Sequence, residues 1–232
     1  MINNDEEHKE EVMANIFAVF KQDLLPINHI WFLEKLCSTF NCKPAVIYDI
    51  GSCVLHWRRH AHRIWPDADI ICFDAFSPLE ELYKQENIKY EIACLSDYDD
   101  MRLKFYQNDL LYGGNSVYRE NTQFFDPKNF IIKETRSLDS LVMDRNYAYP
   151  DILKIDSQGS ELDIIKGAKK CLEHATYLIC ELQDVDYNIN APKSQEVIEY
   201  LKSINYICIA PKFSSNPSDA DYAFINKNKL VK

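Results

Sequence analysis

The sequence contains no apolar run that approaches the roughly 20 residues needed to span a bilayer. It opens on the charged and polar stretch MINNDEEHKEE, and no apolar signal region follows. From these absences we expect a soluble, cytoplasmic protein without a membrane span. The 232 residues show no internal repeat and no low-complexity tract, and this length suits one large domain with a small appendage.

The sequence also lacks a CxxC pair, although it has eight cysteines. Several of these cysteines stand inside apolar, strand-like runs, where a small apolar side chain packs well. We therefore expect buried, reduced thiols rather than disulfides or a zinc site.

Basic residues are in the minority, with 26 Lys and Arg against 36 Asp and Glu and a formal net charge of −10. A nucleic-acid binder usually presents a basic face that neutralises phosphates. Nucleic acid is therefore disfavoured as a partner, and a small-molecule or carbohydrate ligand is favoured.

Apolar residues recur at helical spacing over residues 5–25 and 28–40, with Pro26 between the two segments. We expect residues 1–42 to form an N-terminal helical extension that covers one edge of the domain. A role of this extension in dimer contact is the alternative, so a homodimer is one expectation. Residues 43–232 form the predicted main domain.

Short apolar runs alternate with helical stretches from residue 43 onward, which predicts an α/β fold with a doubly wound, mostly parallel sheet. The last two strands lie close together in the chain, which predicts an antiparallel finish. The predicted strands are 45–50, 69–73, 90–95, 152–156, 177–182, 206–210 and 222–226, with further extended segments at 101–107 and 131–135. The predicted helices of this domain are 55–65, 79–86, 138–145, 160–173 and 194–203.

Small and acidic residues follow the first predicted strand, where ligands of open parallel sheets bind. Gly51 and Ser52 let the backbone approach a ligand, and the next helix offers free N–H groups. One glycine, where a dinucleotide loop has three, argues against the pyrophosphate of NAD. S-adenosylmethionine (SAM) needs fewer glycines and a polar partner for its ammonium, which Asp49 supplies directly or through water in this hypothesis. The same segment also fits an ordinary strand–turn–helix junction.

Asp74 follows the second predicted strand, 25 residues after Asp49. This spacing fits one βαβ unit. A carboxylate at this place accepts hydrogen bonds from both ribose hydroxyls in nucleotide-binding sheets. We therefore predict a ribose site at Asp74.

Lys154 and Asp156 share one face of the predicted strand 152–156, because side chains alternate along a strand. Burying either charge unpaired in a central strand is costly. We expect them to pair with each other or with Glu181 on the next strand. Near the carboxyl end of the strand they are a candidate catalytic group, and a purely structural buried ion pair is the alternative.

The region from about Ala45 to Asn226 resembles the FkbM-type family of SAM-dependent O-methyltransferases. Its segments stand here in the family's order: Asp49-Ile50-Gly51-Ser52-Cys53-Val54-Leu55 for the loop D-x-G-A-N-x-G, Phe73-Asp74-Ala75-Phe76-Ser77-Pro78 for F-E-P, Cys94-Leu95-Ser96-Asp97 for A-L-S-D, Thr135 through Leu141 for T-x-x-L-D-x-L, Ile152 through Glu161 for L-L-K-I-D-x-Q-G-x-E, and Glu181 for the acidic end of the fifth strand. Leu55 replaces the second glycine of the first loop.

The resemblance implies a seven-stranded sheet of the class I methyltransferase type and SAM as the cofactor. It places Ala75 beside the ribose and Cys94, Leu95 and Ser96 at the adenine. It also implies methyl transfer to a hydroxyl of a sugar, a glycan or a related small molecule, which would be the acceptor.

Asp156 is the first choice for the base that removes the proton of the acceptor hydroxyl, or for the group that orients the acceptor, with Lys154 and Glu181 holding its geometry and charge. The resemblance also places this strand end close to the SAM methyl group, so a role of Asp156 on the cofactor side is the alternative. His56 is the rival base, because the ordinary pKa of histidine suits proton transfer. A magnesium site of Asp156, Glu181 and Asp139 is chemically reasonable. No ligand spacing demands it, so we predict no metal.

Two other functions compete with this hypothesis. One is a catalytically silent Rossmann-like binding protein, and the other is an NAD-dependent nucleotide-sugar enzyme, which the missing glycines disfavour.

Residues 108–130 are a long loop rich in Gly, Asn and Tyr, and we expect this loop to be a lid over substrate or cofactor. The predicted loop 212–221 is a second candidate flank of the acceptor.

Overall fold

The computed structural model describes residues 4–230, with Asn4 described by its backbone alone. The outermost residues of the two predicted domain ranges, 1–3 and 231–232, lie outside it. The helices are α1 (Asn4–Phe20), α2 (Ile27–Ser38), α3 (His56–Ile64), α4 (Leu79–Gln85), α5 (Leu138–Arg145), α6 (Glu161–Lys166), α7 (Lys169–His174) and α8 (Ser194–Ser203). No helix in this part of the chain is long and apolar enough to cross a membrane.

The strands are β1 (Val46–Ile50), β2 (Asp69–Asp74), β3 (Lys89–Ile92), β4 (Cys94–Leu95), β5 (Arg102–Tyr106), β6 (Phe130–Arg136), β7 (Ile152–Ile155), β8 (Tyr177–Gln183), β9 (Tyr206–Ser215) and β10 (Asp219–Asn226). Seven of them form one sheet in the order β3-β2-β1-β7-β8-β10-β9. The first five in this order are parallel, and β10 runs antiparallel to both β8 and β9. The predicted doubly wound, mostly parallel seven-stranded sheet and its antiparallel finish are therefore confirmed.

Both faces of the sheet are covered, so its central strands are apolar at nearly every position, as parallel strands usually are. β1 and β7 are buried along their whole length. Apolar side chains of α1 to α4 pack on one face, and those of α5 to α8 pack on the other. The order of strands reverses between β1 and β7, which places the switch point at their carboxyl ends.

The described part of the N-terminal extension shares the core of the main sheet. Ile16 of α1 and Leu33 of α2 belong to the same buried cluster as Ile47 of β1. A polar contact adds to this packing: Nε2 of His29 lies 2.8 Å from Oδ2 of Asp221 on β10, and both side chains are buried. α2 is therefore fixed directly on the sheet. Whether the extension counts as a separate unit, as the predicted boundary at residue 42 has it, stays a prediction.

One predicted strand and one predicted helix are each divided in the structure. The predicted strand 90–95 is split at Ala93: β3 stays in the main sheet, whereas β4 pairs with β6 in a separate sheet of order β4-β6-β5. The predicted helix 160–173 is broken into α6 and α7 at Gly167. A Cβ atom on Gly167 would lie 2.1 Å from the carbonyl oxygen of Ser96, so this approach requires glycine.

The predicted loop 212–221 is for the most part a hairpin. β9 continues to Ser215 and β10 begins at Asp219. The Asn216 side chain accepts hydrogen bonds from the amides of Ser218 and Asp219, which is the usual way asparagine stabilises a tight turn. The prediction of a loop here was wrong because the polar composition of a hairpin edge resembles that of a loop. α1 also ends at Phe20, before the predicted residue 25.

We expect His29→Ala to lower the free energy of unfolding by about 3 kcal/mol, because Asp221 would stay buried without its partner. Urea unfolding measures the change, and His62→Ala, at an exposed position of α3, is the matched control. Equal effects of the two substitutions would contradict a stabilising His29–Asp221 contact.

Candidate functional site

A cavity of about 220 Å³ lies at the carboxyl ends of β1, β2 and β7, next to the switch point of the sheet. It is lined by Ile50, Gly51, Cys53, Phe73, Asp74, Ala75, Ala93, Cys94, Leu95, Phe105, Tyr112, Gly113, Asn115, Ser116, Val117, Asp156, Ser157, Gln158, Ser160 and Ile164. Among these described residues the only charged side chains are Asp74 and Asp156, and none is Lys, Arg or His. The cavity is therefore electrostatically suited to a cationic ligand.

The loop after β1 packs directly against the end of β7. Gly51 has a φ of +73°, and a Cβ atom there would lie 1.7 Å from the carbonyl oxygen of Asp156.

Leu55 also has a positive φ, +66°, at the position of the second loop glycine in the family pattern. A left-handed conformation costs a non-glycine residue roughly 1–2 kcal/mol. The Leu55 side chain is fully buried, and this apolar burial offsets a cost of that size.

Asp74 stands at the end of β2 with its carboxylate oriented by backbone amides. Oδ2 accepts a hydrogen bond from the Cys53 amide at 2.9 Å, and Oδ1 accepts one from the Phe76 amide at 2.9 Å. Burial raises the pKa of Asp74 above its ordinary value, although these hydrogen bonds oppose the shift. Each oxygen keeps a lone pair for a ligand hydroxyl.

Lys154 lies beneath the cavity between two carboxylates. Its Nζ atom is 3.3 Å from Oδ2 of Asp156 and 3.4 Å from Oδ1 of Asp49, and it also donates to the carbonyl oxygen of Gly51 at 3.4 Å. Burial opposes the charge on Lys154, but the carboxylates of Asp156 and Asp49 outweigh it and hold the pKa of the ammonium above its ordinary value. The predicted pairing of Lys154 with Asp156 is present.

Asp49 is fully buried, and its carboxylate oxygens accept no hydrogen bond from the described residues. Burial raises the pKa of Asp49 even though the Lys154 ammonium opposes the shift. Asp49 does not line the cavity. The structure thus corrects the expected direct contact between Asp49 and a ligand ammonium, because this carboxylate faces Lys154 inside the sheet; a contact through water stays a prediction.

Asp156 and Glu181 form a pair of carboxyl groups at the ends of β7 and β8. The Gln158 amide donates to Oδ1 of Asp156 at 3.1 Å and to Oε2 of Glu181 at 2.7 Å. Burial and then repulsion by Asp156 raise the pKa of Glu181 well above its ordinary value. Burial also opposes the charge on Asp156, but the Lys154 ammonium and the hydrogen bonds from Glu181 and Gln158 outweigh it and lower its pKa. The two pKa values are thus shifted in opposite directions, down for Asp156 and up for Glu181.

The turn after β7 is held by Glu161, whose role the sequence analysis missed. Its carboxyl group is buried and accepts hydrogen bonds from the amides of Ser157 at 2.8 Å and Gly159 at 3.2 Å. Burial raises the pKa of Glu161 to about 7. Gln158 and Glu161 both belong to the segment I-D-x-Q-G-x-E, which was therefore the available signal for both residues.

Half of the predicted site residues line the cavity, namely Gly51, Asp74, Ala75, Cys94, Leu95 and Asp156. The other half, Asp49, Ser52, Ser96, Lys154, Glu181 and His56, do not. Ser52 donates its hydroxyl to the carbonyl oxygen of Asp49, and Ser96 is buried beside Gly167. Lys154 pairs with Asp156, and Glu181 is linked to Asp156 through Gln158, but neither residue lines the cavity itself.

His56 and Asp139 lie in structural positions away from the cavity. Nε2 of His56 is 3.0 Å from the carbonyl oxygen of Val19 at the end of α1, and burial lowers the pKa of His56. The Asp139 carboxylate accepts hydrogen bonds from the amides of Lys170 and Cys171 at the start of α7. The structure therefore does not bring Asp139 to Asp156, as the magnesium alternative required. Within residues 4–230 no group of three or more His, Cys, Asp or Glu side chains is arranged to hold a metal ion.

The long loop between β5 and β6 contributes to the wall of the cavity, and its role as a lid stays a prediction. Tyr112, Asn115 and Ser116 are among its lining residues. The Ser116 hydroxyl donates to the carbonyl oxygen of Ser157 at 3.1 Å, and the Tyr112 ring stacks on Phe76 with 5.8 Å between ring centroids. The loop is thus attached both to the end of β7 and to the segment that follows Asp74.

One solved structure of a methyltransferase shares this fold at low sequence identity, and a second matches it with a lower TM-score. A protein from Klebsiella pneumoniae assigned as an O-methyltransferase has a TM-score of 0.50 and 14% identity, covering 94% of this chain and 89% of its own. The N-methyltransferase NodS from Bradyrhizobium japonicum, in complex with S-adenosyl-L-homocysteine, has a TM-score of 0.48 and 10% identity, covering 97% of this chain and 100% of its own. A comparison with curated proteins found no match.

The Methyltransferase FkbM domain family matches residues 60–208, which is more than half of the chain. The matched region contains Asp74, the strand β7 with the turn that follows it, and Glu181. The loop from Asp49 to Leu55 precedes it. The chain therefore belongs to the FkbM family of SAM-dependent methyltransferases.

Proposed function

We propose that this methyltransferase acts on oxygen, and that its acceptor is a hydroxyl of a sugar, a glycan or a related small molecule. The observation that carries this proposal is the Asp156 carboxyl group on the cavity wall, 3.3 Å from Nζ of Lys154, which holds its pKa below the ordinary value. A hydroxyl acceptor needs a base at the reacting oxygen, and a fixed carboxylate supplies one.

The cavity fits SAM in charge and in chemistry. SAM carries a sulfonium and an ammonium, and the only charged groups of the described lining are the carboxylates of Asp74 and Asp156. Asp74, which two amides hold in place, is suited to accept hydrogen bonds from the two ribose hydroxyls. Apolar lining residues such as Leu95 and Phe105 offer a surface for the adenine.

The chain's own residues then act on the acceptor. SAM, when bound, would supply a methyl group on a positively charged sulfur, and the bond between this sulfur and the methyl carbon would break to leave a neutral thioether. Asp156 accepts the hydroxyl proton as the new C–O bond forms, while Lys154 stabilises the carboxylate before the transfer. Gln158 bridges Asp156 and Glu181 and so limits the rotation of both side chains. The loop over the cavity keeps water from the reacting atoms.

The competing functions make different demands on the same cavity. An NAD-dependent enzyme must bind a pyrophosphate, and a cavity with two carboxylates and no cationic side chain among its described lining residues disfavours that dianion. A silent binding protein predicts SAM binding without turnover of any acceptor. The homodimer, the cytoplasmic location and the absence of a nucleic-acid partner stay predictions.

We expect Asp74→Ala to weaken SAM binding about 10- to 100-fold, because two hydrogen bonds to a charged acceptor are lost. Calorimetric titration measures the affinity, with circular dichroism to confirm that the variant is folded. Glu86→Ala, at an exposed position after α4, is the control. Unchanged affinity of Asp74→Ala would mean that the ribose binds elsewhere.

Asp156→Asn tests the proposed base directly. We expect kcat to fall at least about 100-fold with folding intact, because general-base catalysis contributes factors of this size. The assay follows transfer of a labelled methyl group from SAM to a panel of glycans and nucleotide sugars. If the turnover rate survives and only KM changes, Asp156 is not the base.

The pH profile separates Asp156 from His56 as the base. The pKa of Asp156 is held below its ordinary value, so its carboxylate keeps its charge, and we expect kcat to be constant between about pH 5 and 7. A histidine base would lose activity within this range as the ring gains a proton. The contrary result would be a kcat that falls as the pH is lowered through this range, with no such pH dependence in the His56→Gln variant. That result would contradict the role of Asp156.

A further inference from the structure

Two residues of the loop between β5 and β6 line the cavity and carry a polar side-chain atom without a partner. Oη of Tyr112 and Nδ2 of Asn115 are both buried and make no hydrogen bond with any described residue. Tyr112 as a whole is only 8% exposed. A buried donor without a partner costs about 1–3 kcal/mol. Because both residues line the cavity, a molecule bound there is the available partner.

Both groups are held so that their donors stay available. The Asn115 carbonyl oxygen accepts a hydrogen bond from the Asn108 amide at 2.7 Å, which fixes the orientation of the side-chain amide. The Tyr112 ring is stacked on Phe76 at an interplanar angle of 14°, and this packing directs the hydroxyl. The adjacent Ser116 is bonded to the carbonyl oxygen of Ser157, so this part of the loop lies beside the end of β7.

The other side-chain hydroxyl and amide donors of the lining already have partners. Ser116 and Ser160 each donate to the carbonyl oxygen of Ser157, Ser157 donates to Glu161, and Gln158 donates to Asp156 and Glu181. Among the hydroxyl and amide side chains that line the cavity in the described chain, Tyr112 and Asn115 therefore remain as the free donors.

The cofactor of this family has one anionic group, the α-carboxylate of its methionine tail. The cavity offers that carboxylate no Lys, Arg or His among its described lining residues. Neutral O–H and N–H donors bind a carboxylate well when they are fixed in advance. We propose that Tyr112 and Asn115 bind the α-carboxylate of the cofactor. This inference rests on the SAM site described above and extends it to a loop outside the sheet.

The loop that carries Tyr112 and Asn115 is also held farther along. Glu120 forms a β-bridge with Asn188 of the segment after β8, and the Asn188 side chain donates to the carbonyl oxygen of Tyr118 at 2.8 Å. The two proposed donors therefore belong to a loop that is fixed near the ends of both β7 and β8.

Calorimetric titration with two ligands tests the proposal. S-adenosylhomocysteine carries the α-carboxylate, whereas 5′-methylthioadenosine has the adenine, ribose and thioether but no amino-acid tail. Tyr112→Phe removes only the hydroxyl, and Asn115→Asp keeps the oxygen that accepts from Asn108 while replacing the donor with an oxygen. Tyr98→Phe, at a side chain that is 65% exposed, is the matched control.

We expect S-adenosylhomocysteine to bind about tenfold more weakly to Tyr112→Phe and at least about 30-fold more weakly to Asn115→Asp, where two anionic groups would face each other. Methylthioadenosine should bind both variants within about twofold of the wild type. Equal losses for both ligands, or no loss for S-adenosylhomocysteine, would overturn the assignment of these two residues. A wild-type protein that binds neither ligand would instead overturn the cofactor site itself.

Discussion

The buried ammonium of Lys154 connects the two segments from which the site is built. It reaches Asp49 on β1, Asp156 after β7 and the carbonyl oxygen of Gly51 between them. Without this cation, Asp49 would be a fully buried carboxylate with no compensating charge. The close packing of Gly51 on the Asp156 backbone places the loop after β1 against the end of β7. The cavity lies where these two strand ends meet.

The same cation lowers the pKa of Asp156, whereas burial and repulsion by Asp156 raise the pKa of the neighbouring Glu181. The acidic side chains of the described cavity lining are Asp156 and Asp74, and this lining has no Lys, Arg or His. A cofactor with a sulfonium and an ammonium suits this field, and a pyrophosphate does not. Selection between these cofactors thus follows from the electrostatics of the strand ends as well as from the number of loop glycines.

The sequence predicted the parts of the structure that depend on local pattern. Alternating apolar runs predicted the sheet, and the two-residue spacing of Lys154 and Asp156 predicted their pairing. Features that depend on distant contacts were not predictable in this way. The helix is broken at Gly167 because this residue packs against the carbonyl oxygen of Ser96. The Asp49 side chain does not line the cavity because its counterion, Lys154, comes from β7. The position of Tyr112, whose ring stacks on Phe76, likewise depends on how a loop folds over the sheet.

A double-mutant cycle on Asp49→Asn and Lys154→Met tests the central claim most directly, with unfolding in urea as the readout. We predict that Lys154→Met alone destabilises the protein by about 3–5 kcal/mol, because it leaves Asp49 buried and uncompensated. Adding the Asp49→Asn substitution to this variant should then recover at least about 1 kcal/mol of that loss. The exposed pair Lys89 and Asp69 provides a matched cycle, with an expected coupling below about 1 kcal/mol. Additive effects of Asp49→Asn and Lys154→Met, within about 0.5 kcal/mol, would contradict the claim that this ion pair holds the site together.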